Sequence, residues 1–317
     1  MASRRNFDQS STADQVLDGL NIAGKHFLVT GGSSGLGAET ARALAAKGAE
    51  VTITARDTGK AKRITDSIRV ATGNEVAIEQ LELGSFTSIR EFAERINSSG
   101  KKIDILINNA GVMACPHNTT EDGLELQFGS NHIGHFLMTN LVKDSIVEGG
   151  RVVSLSSAGH KMAPVDFDDP NFEHRDYDKW LAYGQAKTAN ALFAVGLNSR
   201  LAKRCIEAFA VHPGVIVTDL GRHLSKQDVL QMAASMGDNM QYKSVEQGAA
   251  TQTLAATEPE LAGKGGSYLA NCQICELSAD ENDIADETTV RAYAISQENA
   301  DRLWSLSEKI VGQVFSD

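Results

Sequence analysis

The chain is poor in cysteine, proline and basic charge, and it has no long apolar run. Of 317 residues only four are cysteine and five proline. Four cysteines (Cys115, Cys205, Cys272, Cys275) in so long a chain make no disulfide framework and point to reduced thiols. Cys272 and Cys275 form a lone C-x-x-C. Zinc would need two more ligands at suitable spacing, and a redox motif would sit at a strand-to-helix junction, so the pair is read as incidental. Lysine plus arginine is 30 against 41 for aspartate plus glutamate, a net charge of −11. That balance argues against nucleic acid and anionic membranes as partners, because both need clustered basic residues. No stretch approaches the roughly 20 apolar residues of a membrane span. The polar segment Met1 to Gly19 has no signal-peptide core. The expectation is a soluble, cytoplasmic protein with no membrane anchor.

What is present is an alternating pattern. Apolar residues make up 42 %, enough for a sizeable core and too many for general disorder. The β-branched runs His26 to Thr30, Val51 to Ala55, Val76 to Leu83, Ile103 to Ile107, Arg151 to Leu155, Ile206 to Val211 and Gly266 to Leu269 read as strands. Helical patterns separate them: Ala38 to Lys47, Lys60 to Val70, Ser85 to Ile96, Leu124 to Val147 and Tyr183 to Ala202. Strands alternating with helices predict an α/β fold, a doubly wound parallel sheet of Rossmann type with helices on both faces. The length allows one or two domains. With no linker or repeat, the reading is an N-terminal extension over 1–20 and one domain over 21–317. Insertions near 159–182 and 215–242 break the rhythm, and long irregular segments of this kind are usually functional loops.

The stretch Thr30-Gly31-Gly32-Ser33-Ser34-Gly35-Leu36-Gly37 lies between the first strand and its helix. Glycine there permits a tight turn and close backbone approach, and the helix N-terminus behind it favours a pyrophosphate. No Gly-Lys-Ser/Thr follows, so it is not a P-loop. At the end of the second strand a carboxylate would select NAD(H). Arg56 stands there instead, which favours NADP(H) while leaving NAD(H) open. Asp57 reads as a cap of the next helix, and Lys60 lies close enough to Arg56 to assist. Tyr183 and Lys187 are spaced i, i+4 on one helix face. A lysine beside a phenol lowers its pKa, which suits proton exchange with an alcohol or carbonyl.

Together these motifs resemble the short-chain dehydrogenase/reductase family. The pattern runs through Thr30 to Gly37, Asn108-Asn109-Ala110-Gly111, Asn131, Ser157, and Tyr183 with Lys187. The segments Asn131 to Phe136 and Tyr183 to Phe193 are similar to the retinol dehydrogenase and WW-domain oxidoreductase branch and its bacterial relatives. The resemblance implies Tyr183 as general acid/base, with Lys187 lowering its pKa and both meeting the nicotinamide ribose. It implies that Ser157 orients the substrate oxygen, with Ser154 and Ser156 as nearby alternatives. Asn131 would hold a relay water. Gly31, Ser33, Ser34, Gly35, Leu36, Gly37, Asn109, Ala110 and Gly111 would line the dinucleotide. Glu82 and Leu83 would lie beside adenine, although the family has Asp where Glu82 stands. Pro213, Gly214, Ile216 and Thr218 would meet the nicotinamide end.

The implied activity is interconversion of an alcohol and its ketone or aldehyde on a small hydrophobic substrate. Reduction of an activated C=C bond and a non-catalytic NADP(H) sensor are the alternatives. Family members pair through two long helices, which would be Leu124 to Val147 and Tyr183 to Ala202 in a homodimer or homotetramer. His132 and His135 lack a third metal ligand and read as residues for packing or helix-face hydrogen bonding. Met232, Met236 and Met240 read as core or as an adaptable lid, with Phe167, Phe172 and Trp180 as its facing wall.

Overall fold

In the computed structural model, residues 6–230, 242–280 and 284–316 are described. Seven strands run parallel in one sheet: β1 (His26–Val29), β2 (Glu50–Ala55), β3 (Val76–Gln80), β4 (Ile103–Asn108), β5 (Ile146–Leu155), β6 (Glu207–His212) and β7 (Tyr268–Ala270). An eighth, β8 (Gln273–Ile274), pairs antiparallel with β7. The spatial order is β3-β2-β1-β4-β5-β6-β7-β8. Each strand must hide both faces, and period-two alternation divides its side chains between two cores. Phe27, Val29, Ile105, Ile107, Val153 and Phe209 enter one core, while Leu28, Leu106, Val152 and Ala210 enter the other. The order reverses between β1 and β4, which opens a crevice at their carboxyl ends.

The segment predicted as one helix from Leu124 to Val147 is shorter and interrupted. It consists of Leu126–Phe128, a π-helical turn Gly129–Ile133, and a helix Gly134–Val142. A 3₁₀ turn follows, and β5 already begins at Ile146. Gly134 sits against Leu83, where a Cβ would lie 3.0 Å from the Leu83 Cβ. Side-chain periodicity cannot reveal such a bulge here, because residues 127–140 are all buried and leave no polar face to mark the phase.

Among the described residues, three of the helices outside the sequence reading shape the core. Ala13–Leu17 is closed by a capping box on Thr12 and buries Ala13, Val16 and Leu17 completely. Ala250–Thr257 packs behind β5 and β6. The C-terminal helix Gln297–Val311, capped by Ser296 and ended by left-handed Gly312, lies on the helix Lys179–Arg200. That second helix is buried from Ala182 to Leu197. Both helices expected to pair subunits are therefore covered within the chain, with Trp304 against Phe136 and Phe193. Pairing through that face would need the C-terminal helix to move.

Met232, Met236 and Met240 lie outside the described residues. Of the aromatic wall proposed opposite them, Phe167 instead stacks under Arg302 of the C-terminal helix, 4.2 Å from the guanidinium. Phe172 is buried between Tyr177 and Arg175. Cys272 and Cys275 are free thiols facing different cores, Cys272 in one and Cys275 against the other. Among the described residues no helix is long and apolar enough to cross a membrane.

Candidate active site

The crevice is lined by the turns that leave β1, β2, β4, β5 and β6. After β1 the chain turns at Gly31 with φ +70, where a Cβ would lie 2.9 Å from Ala110. Only glycine lets the two turns approach so closely. The same holds for Gly37, where a Cβ would lie 2.6 Å from Asn109 Nδ2. Helix Gly35–Ala46 then begins with Ser34 as its N-cap, yet the Ser34 side chain makes no capping bond. The first N–H groups of that helix keep their capacity for an anion. An open glycine cradle before an uncapped helix fits the pyrophosphate of a dinucleotide. Ser33, Ser34, Gly35 and Leu36 are half-buried at its rim.

Thr30 ties this turn to the one after β4. Its hydroxyl oxygen accepts the N–H groups of Asn109 and Ala110, both at 2.9 Å. With both acceptor sites used, its proton points to His135 Nε2 at 2.9 Å. His135 Nδ1–H then donates to the Asn131 carbonyl at 2.8 Å. Burial lowers the His135 pKa to about 4, so the ring stays neutral. The Asn131 side chain accepts the Val112 N–H at 2.8 Å and donates to the Val112 carbonyl at 2.9 Å. His135 thus makes the helix-face bond that was one of its two expected roles, and beyond it joins the cofactor turn to Asn131. No local sequence signal marks that role, since Thr30 lies 105 positions away.

At the end of β2, Arg56 is exposed, with Nη1 3.5 Å from Glu82 Oε2. Glu82 also accepts the Gly84 N–H at 2.9 Å, and Leu83 is buried beside it. Asp57 caps its helix as expected, accepting the Lys60 N–H at 2.9 Å. Lys60 Nζ pairs at 2.7 Å with Asp219, which follows β6 and which sequence reasoning missed. Thr218 rests over Gly35, where a Cβ would lie 3.4 Å away. Pro213, Gly214 and Ile216 run beside them, half-buried, with Gly214 at φ +97.

Ser157 leaves the end of β5 and its hydroxyl oxygen accepts the Gly159 N–H at 3.1 Å. Ser156 instead donates its hydroxyl to the Lys187 carbonyl at 2.7 Å, and Ser154 is buried within the sheet. Of the three serines, Ser157 stands beside Tyr183: a Cβ on Gly159 would lie 3.4 Å from Ser157 Oγ and 2.8 Å from Tyr183 Cε1. Burial raises the Tyr183 phenol to about 12, with Ser157 acting the other way. Lys187 lies over the Tyr183 ring, Nζ 5.6 Å from the centroid, and donates to the Leu155 carbonyl at 2.9 Å. Burial lowers its pKa to about 8. Desolvation therefore outweighs the expected pull of the lysine on the phenol. Gly111 stands between the parts, where a Cβ would lie 3.2 Å from Asn131 Oδ1 and 3.7 Å from Lys187 Nζ.

A serine, a buried tyrosine and a buried lysine beside a dinucleotide cradle can exchange a proton with a carbonyl or alcohol oxygen. The sequence model described as short chain dehydrogenase matches residues 25–229. Human retinol dehydrogenase 13 is 40 % identical over 295 residues, covering 92 % of this chain and 86 % of its own. A probable oxidoreductase of Streptomyces lividans is 40 % identical over 293 residues, covering 90 % and 97 %. Among solved structures, an uncharacterised protein from Mycobacterium paratuberculosis superposes with a TM-score of 0.74 at 31 % identity, covering 97 % and 100 %. A short chain dehydrogenase from Burkholderia cenocepacia J2315 in complex with NADP gives 0.64 at 27 %, covering 79 % and 97 %. Fold, motif geometry and relatives agree, and the chain belongs to the short-chain dehydrogenase/reductase family of oxidoreductases.

Proposed function

We propose that the chain is an NADP(H)-preferring oxidoreductase that interconverts a hydrophobic alcohol and its aldehyde or ketone. The observation that carries this reading is the grouping of Ser157 beside Tyr183, with Lys187 on the same helix face as the tyrosine and next to Gly111 and Asn131. A bound nicotinamide would supply or accept the hydride. The chain does the rest. Ser157 orients the substrate oxygen, and Tyr183 gives it a proton during reduction or takes one during oxidation. Lys187 holds positive charge near the phenol. Asn131, fixed by Val112 and His135, holds the water through which protons are replaced. Gly31, Ser33 to Gly37, Asn109 to Gly111 and the segment Pro213 to Thr218 hold the dinucleotide, with Glu82 and Leu83 at its adenine end.

Apolar groups near the tyrosine support a hydrophobic substrate. Leu181 on the same helix and Met162, whose Cβ faces Gly184, are both exposed. Retinol dehydrogenase 13 and retinol dehydrogenase 12 among the relatives point the same way. A panel of aldehydes, ketones and one conjugated enone, followed by nicotinamide absorbance with both cofactors, tests the reading. Turnover of the enone alone would move the chemistry to a C=C bond.

Arg56 supports the 2′-phosphate preference, with Lys60 one helical turn further on. Hydrogen bonds to charged groups contribute about 1.5–3 kcal/mol. Arg56→Asp is expected to lower kcat/KM with NADPH roughly 10- to 100-fold and to spare or improve NADH. An unchanged ratio between the two cofactors would overturn the assignment.

The pH dependence follows from Lys187. Its ammonium is present at neutral pH and is lost as pH rises through about 8. Carbonyl reduction should therefore decline above that value, when the neutral amine no longer supports proton delivery. The profile of kcat/KM, which reports the free enzyme, is the measurement. A profile flat to about pH 10, near the ordinary lysine value, would remove Lys187 from this role.

A further inference from the structure

The peptide unit that follows Ser157 is held at both polar ends by histidines. The Ser157 carbonyl accepts the His160 amide N–H at 2.9 Å and lies 2.7 Å from His160 Nδ1. The Ala158 N–H donates to His212 Nδ1 at 3.1 Å. The outer partners fix each ring. His160 Nε2 accepts the Arg291 N–H at 3.2 Å, so the proton sits on Nδ1, facing Ser157. The Tyr268 hydroxyl lies 3.2 Å from that same nitrogen. His212 accepts through Nδ1, so its proton sits on Nε2, 3.3 Å from Glu287 Oε1. That last contact is a close approach of a neutral N–H to a carboxylate rather than an aligned hydrogen bond.

Several further observations support the arrangement. Both rings are buried, at 1 % and 3 % exposure. Burial lowers the His160 pKa to about 3, so that ring stays neutral. Burial would raise the Glu287 carboxyl, yet His212, Lys243 and Lys161 hold it below the ordinary range. The acceptor facing Nε2 is therefore a carboxylate. Arg291 and Glu287 belong to one segment near the C-terminus, more than 120 residues beyond Ser157 in sequence.

We propose that His160 and His212, locked in opposite tautomers by Arg291 and Glu287, clamp the Ser157–Ala158 peptide and so aim the Ser157 hydroxyl. They are positioning residues, and their catalytic consequence rests on the reading of Ser157 and Tyr183 given above. Ser157 stands at a strand end, in a loop where one peptide rotation would swing the hydroxyl away. A displacement of about 1 Å at a reacting group can cost on the order of 100-fold in rate.

The test uses the full chain and has two arms. In the first, imidazole nitrogen NMR should show His160 protonated at Nδ1 and His212 at Nε2. Glu287→Ala should release the His212 tautomer and speed exchange of the Ala158 amide. In the second, turnover of all-trans-retinal and decanal with NADPH is measured for two variants. His212→Phe fills the space but offers no acceptor, and is expected to lower kcat about 10- to 100-fold with the KM for NADPH unchanged. His212→Asn, whose Oδ1 can take the place of Nδ1, should recover most of the loss. Equal kcat in the two variants, or a His212 tautomer and Ala158 exchange unaltered in Glu287→Ala, would overturn the clamp. Tyr183→Phe separates the two readings. If it retains turnover, the catalytic reading falls, and the NMR arm alone decides whether the clamp exists.

Discussion

Tyr183→Phe is expected to lower kcat by about 10²–10⁴-fold, the usual contribution of a positioned acid or base. Affinity for NADPH, followed by quenching of its fluorescence, should change little. The substitution removes one oxygen and leaves the ring, so the packing of Gly159 against Tyr183 is kept. Ser157, which keeps the Gly159 N–H on its oxygen, can still hold the substrate, but the proton donor beside it is gone. A sensor that merely bound NADP(H) would be indifferent to that oxygen. Full turnover in the variant would sink the tyrosine mechanism, whereas lost NADPH binding would show that the phenol mainly serves the cofactor.

Trp304→Ala is expected to destabilise the protein by about 3–5 kcal/mol, the range for large aromatic truncations in a core. Trp304 is 5 % exposed and meets Phe136 edge-on at 4.9 Å and Phe193 at 6.0 Å. The Arg200 guanidinium lies 4.3 Å from its ring, and its indole N–H donates to Glu308 at 3.1 Å. Removal opens a cavity between three elements and strips a cation–π contact as well. Urea unfolding monitored by circular dichroism measures the loss. A change under 1 kcal/mol, below any large core truncation, would mean that the C-terminal helix is only loosely attached.

The sheet and its cofactor end were legible because their chemistry is local. Glycines at Gly31, Gly35 and Gly37 answer to backbone geometry within eight residues, and Tyr183 and Lys187 share one helix face by spacing alone. The interruption at Gly129–Ile133 was illegible because residues 127–140 are buried on every side, so no polar face exists whose phase a π-helical turn would shift. Helix Gln297–Val311 was passed over since the family motifs end well before it, although Ala300, Leu303, Trp304 and Ser307 mark a buried stripe. The roles of His135 and His160 could not be read, because Thr30 and Arg291 come from 105 and 131 positions away. Desolvation was invisible for the same reason. It raises the Tyr183 phenol and lowers the Lys187 ammonium.

The placement of the helix Gln297–Val311 on the helix Lys179–Arg200 bears on the order of assembly. Every motif residue from Thr30 to Lys187 has left the ribosome while Gln297 to Val311 is still unmade. Until that last stretch docks, the helix carrying Tyr183 and Lys187 shows its Phe193 side to water, and the partners of Ser307 and Trp304 stand bare. Closure of that face thus waits on residues 297–311, and a chain cut short before residue 297 would keep the cradle after β1 while lacking the wall behind the helix of Tyr183 and Lys187.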